Sequence, residues 1–380
     1  AIRAIYLPWA EDSARYLQQL VDNASYPGGT CETAKAVAFT SGDCVFFVDG
    51  LRFDAGKRLR RALEAVGLTV SEEPFWAALP SVTATGKAAV TPVRDRICGR
   101  EGSLDFEPSV ADTGQSLKGG HPLKKLLDDA GWSILDRSAV GDGQGKAWCE
   151  CGDIDHEGHN RGWKLAKHLD ALIAEVAARI RELVTAGWKR VRVVTDHGWL
   201  LVPGGLPKTD LPGALTDNRW GRCAALKTGA MSEERLFPWY WNSSQYFALA
   251  DGVSCFRKGE EYTHGGLSLQ ECLTLHLTVT PGESVHVAAA IELTDVVWKG
   301  LRCTVAVDGN YAGLSLDIRS QAGNALSSVV VSSKPLKENG TASVVVEDEE
   351  LEGQEATVVL IDSQGMLLAQ YPTVIGGGDR

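Results

Sequence analysis

The chain has 380 residues, of which 44% are hydrophobic and 23% charged, and its formal net charge is -11 at pH 7. This length predicts about two or three domains, and no run of about 18 apolar residues suggests a membrane-spanning segment. The acidic balance excludes a uniformly basic surface for nucleic acid and leaves only a local basic groove for such a partner.

Cysteine usage indicates the compartment. The nine cysteines are odd in number and have no recurring pair spacing, which is typical of free thiols in a reducing environment and predicts a cytoplasmic protein. Residues 1–25 contain no basic leader followed by an apolar core. Because the sequence starts with Ala1 and not with Met, we expect it to be part of a longer protein.

The first predicted unit is a strand followed by a helix. Residues 44–48 (CVFFV) form a short apolar run that predicts a buried parallel strand ending at Asp49. Residues 55–67 follow with apolar side chains at helical spacing, and Gly67 is a plausible stop. This pattern is typical of an α/β protein.

A second alternation follows in the middle of the chain. Apolar residues at three- and four-residue steps predict a helix over residues 161–185, and the β-branched run 190–195 predicts a strand that delivers Asp196 and His197. Alternating strands and helices predict a mostly parallel sheet with helices on both faces.

The pattern changes near residue 280. Short runs rich in Val, Leu and Thr recur at about ten-residue spacing, which is typical of antiparallel strands. These runs cover residues 285–290, 302–307, 314–318, 328–332, 342–347 and 356–361. We therefore predict an α/β domain over 1–280 and a β-sandwich over 281–380.

Four segments place metal-capable side chains at predicted strand ends or in loops. They are VDGLR with Asp49, DIDHEGH with Asp155 and His159, TDHGW with Asp196 and His197, and YTHGG with His264. Three carboxylates brought together would repel one another unless cations held them. Imidazole and carboxylate ligands without thiolate suit zinc, and manganese is the alternative.

Each motif alone also has an ordinary structural explanation. Asp49 is a good helix N-cap or turn residue, and His264 between Thr263 and two glycines suits a plain loop. DIDHEGH could be a solvated acidic loop. The joint pattern and its order distinguish the metal hypothesis from these alternatives.

The segments VDGLR, LPSVTATG, DIDHEGHN, TDHGW and THGG together resemble the alkaline-phosphatase and nucleotide-pyrophosphatase superfamily. The longer stretches FFVDGLRFD, VVTDHGWLLVPGGLPK, NRWGRCAALK and EYTHGGLSLQECLTL resemble the PglZ family of BREX bacteriophage-exclusion systems. This resemblance covers residues 40–280 and implies an alkaline-phosphatase-like fold. PglZ proteins extend further on the N-terminal side.

The resemblance also implies a site with two divalent ions, which we expect to be Zn²⁺ or else Mn²⁺. It assigns Asp49, Thr83, Asp196 and His197 to one ion, and Asp155, His159 and His264 to the other. Thr83 would be the nucleophile, activated by one ion while the second stabilises the leaving oxygen. Thr85 is the alternative, because it could point the same way on an extended segment.

One departure from the superfamily concerns the residues after Thr83. GKAA follows the threonine segment where nucleotide pyrophosphatases usually have proline and asparagine, so their common oxyanion donor is not identifiable in this sequence. The basic candidates for this role are Arg52, Lys87, Arg219 and Lys227.

The leading hypothesis is a metal-dependent phosphodiesterase or phosphatase that acts in bacterial anti-phage defence, with nucleotides or nucleic acid among its candidate substrates. The alternative is a metal-stabilised scaffold subunit of the BREX complex, whose β-rich tail binds other defence proteins. A phosphomutase or sulfatase is a third reading, and LPSVTATG does not resemble a sulfatase motif. No membrane partner is expected.

Overall fold

The computed structural model describes residues 2–103, 105–211, 216–227, 235–282, 291–309, 311–363, 365 and 367–377. The chain divides into two compact units, Ala1–Pro281 and Gly282–Arg380. That the first unit is a catalytic domain remains a prediction.

Helices and strands alternate along the first unit. Its helices are α1 (Ile2–Asn23), α2 (Phe53–Ala65), α3 (Thr83–Ala89), α4 (His121–Asp129), α5 (Ile154–Arg161), α6 (Leu169–Thr185) and α7 (Leu269–Cys272). Its strands are β1 (Asp43–Phe47), β2 (Thr69–Trp76), β3 (Ile97–Cys98), β4 (Ser109–Val110), β5 (Ser133–Leu135), β6 (Lys146–Glu150), β7 (Arg190–Val194), β8 (Leu200–Leu201), β9 (Thr216–Arg219), β10 (Cys223–Leu226), β11 (Leu236–Trp239), β12 (Asn242–Leu249), β13 (Tyr262–Thr263) and β14 (Leu273–Thr280).

The main sheet has the strand order β2-β14-β7-β1-β6-β5. β1 lies between β6 and β7 and is parallel to both, and β5 is parallel to β6. Only β14 runs against its neighbours β2 and β7. This arrangement confirms the predicted class, an α/β fold with a mostly parallel sheet.

Helices cover both faces of this sheet. On one face α2 packs against α6 and against β14, where a Cβ added at Gly56 would lie 3.3 Å from Leu275. On the other face Val45 and Phe47 share a core with side chains of α3 and α4. Alternate residues of a strand point to opposite faces, so β1 is buried on both sides.

Two helix boundaries differ from their predictions. α2 begins at Phe53 and not at residue 55, and it ends at Ala65, shortly before Gly67 with φ +81°. The helix predicted over 161–185 starts later than expected, because α5 ends at Arg161 and Gly162 takes a positive φ of +54°. A short 3₁₀ segment follows, and α6 begins only at Leu169.

The sequence analysis missed three antiparallel sheets among the described residues of the first unit. One has the order β11-β12-β10-β9, another pairs β8 with β13, and the third pairs β3 with β4. These strands are two to eight residues long, and short strands without clear alternation give little periodic signal.

The second unit is built from antiparallel strands. They are β15 (Ile291–Lys299), β16 (Arg302–Gly309), β17 (Ser315–Arg319), β18 (Lys334–Pro335), β19 (Thr341–Val345), β20 (Glu355–Ile361) and β21 (Leu367–Val374). One sheet has the order β15-β16-β19 and the other β18-β17-β20-β21. Val305 and Val344 of the first sheet share a core with Leu316 and Leu360 of the second, which is the packing of a β-sandwich.

Four of the six strands predicted in this tail overlap observed strands. The runs at 302–307, 314–318, 342–347 and 356–361 overlap β16, β17, β19 and β20. The run at 328–332 forms only isolated bridges through Ser328 and Val330 and is not a regular strand. The run at 285–290 lies outside the described residues.

All nine cysteines are free thiols. Burial raises the pKa of Cys149 to about 11. Within the described residues, none of the helices combines the length and the apolar character needed to cross a membrane.

Candidate metal centre

Asp49 and Asp196 lie side by side at the carboxyl edge of the main sheet. Phe47 of β1 is in register with Val194 of β7. Asp49 and Asp196 each follow two residues after these partners, so the two aspartates are neighbours. The N–H of Gly50 donates to Asp196 Oδ1 at 3.2 Å and joins the two loops. Ligands at the ends of parallel strands are typical of α/β sites.

Thr83 is the first residue of α3, and its hydroxyl points at this sheet edge. Thr83 Oγ1 lies 3.1 Å from His197 Nε2 and 3.5 Å from Asp49 Oδ1. The helix packs closely on the sheet edge at Gly86, where a Cβ atom would lie 2.8 Å from Asp196. Glycine at this position therefore allows the close approach.

Thr85 lies outside the site. Its buried hydroxyl donates to the Phe106 carbonyl at 3.2 Å and accepts from Trp239 Nε1 at 3.0 Å. The expectation that both threonines could point the same way was wrong, since the segment is helical and not extended. Residues two apart on a helix do not share a face.

Asp155 and His159 lie on α5, not at a strand end or in a loop as expected. Their four-residue spacing puts both on one helix face, and Asp155 Oδ2 lies 3.5 Å from His159 Nε2. His264 completes this group, with its Nε2 3.4 Å from Asp155 Oδ1 and 3.1 Å from His159 Nε2.

A short ladder outside the main sheet positions His264. β13 ends just before His264 and pairs with β8, which follows the loop that carries His197. Tyr262 of β13 donates its hydroxyl to Asp155 Oδ1 at 2.7 Å. The sequence analysis did not identify Tyr262 as a site residue, although it directly precedes the THGG motif.

Backbone carbonyls fix two imidazoles in the same tautomer. His197 Nδ1 lies 3.0 Å from the Gly198 carbonyl, and His264 Nδ1 lies 3.0 Å from the Ser81 carbonyl. A carbonyl oxygen can only accept, so each Nδ1 carries a proton, and in the neutral imidazole each Nε2 keeps its lone pair. Burial lowers the pKa of His159 and of His264, which favours the neutral, ligand-capable imidazole.

The carboxylates of the site experience opposite effects. Burial and the neighbouring carboxylates of Asp196 and Asp155 raise the pKa of Asp49 well above its ordinary value. Burial also opposes ionisation of Asp155, but the positive charge that His264 and His197 carry when they are protonated outweighs it and lowers the pKa of this carboxyl. The protein alone therefore cannot hold every carboxylate charged at low cost.

The donor atoms fit divalent cations. Asp196 Oδ2 is buried without a hydrogen-bond partner in the described part of the chain, and it lies 3.4 Å from the lone pair of His197 Nε2. The lone pair of His264 Nε2 faces Asp155 Oδ1 in the same way. A carboxylate oxygen and a nitrogen lone pair repel each other, and a cation between them turns the contact into two favourable bonds.

The ligand-capable atoms form two overlapping groups, each with all of its atoms within 4.8 Å of one another. Asp155, His159 and His264 form one group, and Asp49, Asp155 and His197 form the other. Asp155 is thus within reach of both, whereas the resemblance assigned it to a single ion.

The basic candidates have different surroundings. Arg52 makes a bidentate pair with Asp54 at 2.5 and 2.9 Å and stacks 3.7 Å over the Trp199 ring, so its guanidinium is already engaged. Lys227 is exposed. The side chain of Arg219 lies outside the described residues.

A cavity of about 520 Å³ opens beside the centre. Asp49, Asp155 and His159 form part of its wall, and Lys87 and Glu150 line another part. This volume is within the range of small-molecule sites, about 300 to 1,000 Å³.

No protein-family model matches the chain, and no curated protein matches it either. Among solved structures, the chain is similar to murine ectonucleotide pyrophosphatase/phosphodiesterase 5, with 12% sequence identity and a TM-score of 0.40 over 63% of this chain and 88% of that one. An inactive form of that murine protein in complex with AMP gives 11% identity and a TM-score of 0.40, covering 62% of this chain and 87% of the other. At these TM-scores the similarity does not by itself define a function.

Proposed function

We propose that the chain is a metal-dependent phosphoryl-ester hydrolase, a phosphodiesterase or phosphatase with Thr83 as its nucleophile. One observation carries this proposal: the Thr83 hydroxyl lies 3.1 Å from His197 Nε2, inside a cluster of aspartates and histidines. A hydroxyl is a weak nucleophile at neutral pH and needs such surroundings to react.

Two divalent ions, most simply Zn²⁺ with Mn²⁺ as the alternative, would be held by the side chains that the sequence singled out. Asp49, Thr83, Asp196 and His197 would hold one ion, and Asp155, His159 and His264 the other. When bound, such ions polarise a phosphoryl oxygen and neutralise charge that develops in the transition state.

The residues of the chain then divide the reaction between them. Asp49 Oδ1 lies 3.5 Å from the Thr83 hydroxyl and would accept its proton as Oγ1 attacks phosphorus, while His197 Nε2, 3.1 Å from the same hydroxyl, would keep its lone pair for the ion. The new Oγ1–P bond replaces the ester bond, and the alcohol leaves with a proton. Water then attacks the phosphorus of the covalent intermediate and restores Thr83, releasing phosphate from a monoester substrate or a phosphomonoester from a diester.

The biological setting is part of the proposal. The motif resemblance to PglZ supports a role in BREX-type phage exclusion, with nucleotide or nucleic-acid esters as the substrate class and other defence proteins as partners. We assign residues 1–280 to catalysis and the β-sandwich of residues 281–380 to partner binding. Nine free thiols support a cytoplasmic protein.

Elemental analysis combined with hydrolysis of bis-aryl and mono-aryl phosphates tests this function. We expect about two zinc ions per chain in the wild type, with both metal content and turnover reduced in Asp196→Asn. The matched control is Asp317→Asn, which alters a buried aspartate of the second unit that pairs with Arg319 at 2.9 Å. It should retain metal and activity.

The other outcomes separate the hypotheses. Metal that is bound and lost in Asp196→Asn, without turnover of either ester by the wild type, would favour the scaffold alternative. A correctly folded wild type that binds no divalent metal would overturn the proposed centre.

A further inference from the structure

Lys87 occupies a position for which the metal centre gives no explanation. It follows Thr83 by four residues in α3, so the ammonium and the nucleophilic hydroxyl lie on the same helix face. Lys87 also lines the cavity of about 520 Å³ together with Asp49. Its positive charge is therefore adjacent to the place where a phosphate would meet Thr83.

The ammonium of Lys87 is held in place by a small network. Lys87 Nζ donates to Glu150 Oε2 at 2.6 Å, and Trp148 Nε1 donates to the other oxygen of Glu150 at 2.9 Å. Lys87 Nζ also lies 5.0 Å over the ring of Phe47. Burial opposes ionisation of Glu150, but Lys87 and the Trp148 hydrogen bond outweigh it and lower the pKa of this carboxyl.

This network leaves donor capacity on the lysine. An ammonium has three N–H donors, and in the described part of the chain the contact with Glu150 is the one hydrogen bond that Lys87 makes. A fixed cation with unused donors at the wall of a cavity is well suited to an anion. The two carboxylate oxygens of Glu150, by contrast, are both engaged.

We propose that Lys87 is a substrate-binding residue that donates to a non-bridging oxygen of the scissile phosphate, with Glu150 as its positioning residue. The larger ester substituent of the substrate then lies in the cavity between α3 and the ends of β5 and β6. This inference rests on the proposed function. It also selects Lys87 from the four basic residues that the sequence analysis named as candidates for stabilising the transition state.

Binding of inorganic phosphate to the zinc-loaded chain, measured by calorimetry, tests the anion contact without turnover. We expect Lys87→Gln to weaken phosphate binding by at least about tenfold, the loss of one charge-assisted hydrogen bond. Lys87→Arg keeps the charge and should retain most of the affinity. If Lys87→Gln binds phosphate as tightly as the wild type, or the wild type binds none, the inference is wrong.

A second lysine–glutamate pair provides the matched control. Lys57 Nζ lies 2.5 Å from Glu72 Oε1 and 5.8 Å from the ring of Phe53, on α2 and away from the cavity. Lys57→Gln therefore removes a similar pair, and phosphate affinity should not change. An equal loss of affinity in both variants would show a general effect of charge and contradict a specific contact.

Kinetics with a bis-aryl phosphate separate contact from positioning. Lys87→Gln should lower kcat/KM by at least about tenfold, and Glu150→Gln by less, because the lysine keeps its charge but loses its anchor. The double variant should be no worse than Lys87→Gln alone. Additive losses in the double variant would contradict the positioning role of Glu150.

The two proposals can fail separately. If the wild type binds phosphate through Lys87 but hydrolyses no ester, the proposed hydrolase function is wrong and Lys87 belongs to an anion-binding site. If Lys87→Gln retains full turnover, only the proposed role of Lys87 is wrong.

Discussion

The candidate centre consists of two halves that the fold holds in different ways. The strand-borne half contains Asp49, Asp196 and His197, directly after β1 and β7, and the last two side chains are fully buried. The helix-borne half contains Asp155, His159 and His264, carried by the eight-residue α5 and the loop after β13. The side chain of His159 is 50% exposed.

The two halves differ in how rigidly the fold holds them and in how exposed they are to solvent. The register of two central parallel strands fixes the strand-borne half, so its geometry is as stable as the sheet itself. The helix-borne half depends on a short helix and a two-stranded ladder, and it borders the cavity through Asp155 and His159, whereas the strand-borne half contributes Asp49 to the cavity wall. We infer that the first half would hold its ion more tightly and that the second is more accessible to solvent.

The largest expected effect comes from the two threonines of α3. Thr83→Val should lower turnover by at least about a thousandfold with little loss of stability, because it removes the nucleophile. Thr85→Val should leave turnover intact and destabilise the fold by about 1 to 3 kcal/mol, because Trp239 Nε1 loses its acceptor. Steady-state kinetics and urea denaturation measure the two effects, and a reversed pattern would move the nucleophile to Thr85.

Removal of metal should distinguish the two halves directly. During titration with a chelator, His159→Asn should lose its first ion at a concentration at least about tenfold lower than the wild type does, and still retain the second. His197→Asn should lose the tightly held ion instead. Loss of both ions together in each variant would show that the halves are not independent.

A smaller effect is expected from Tyr262, which donates to Asp155 Oδ1 at 2.7 Å. Tyr262→Phe keeps the ring and removes only the hydroxyl, so zinc affinity of the helix-borne half should fall by about tenfold. Competition with a fluorescent zinc chelator measures this change. Unchanged affinity would show that the hydroxyl does not orient Asp155.

The last expected effect concerns stability and not activity, and it is a pH dependence that arises outside the centre. Burial lowers the pKa of His276 from 6.5 to about 4, and its ring stacks on Phe75 with 3.9 Å between centroids. The unfolded chain therefore binds this proton more readily, so stability is fully present above about pH 6.5 and falls as the pH drops towards 4. His276→Phe should flatten this part of the stability profile, measured by urea denaturation between pH 7 and 4.5.

The sequence by itself determined the features that depend on local periodicity. The apolar run before Asp49 and the β-branched run before Asp196 predicted two strands and the side chains at their ends, because a buried parallel strand has a continuous apolar pattern. The β-rich character of the tail followed from its regular short runs in the same way. The strand-borne half of the centre was thus predictable in outline.

Only the tertiary structure decided how distant segments meet. The positive φ of Gly162 separates α5 from the helix predicted after it, and the helical turn at Thr83 separates this threonine from Thr85. His264 reaches Asp155 through the pairing of β8 with β13, and Lys87 meets Glu150 across 63 residues of sequence. Such contacts depend on packing between elements, and local periodicity contains no information about it.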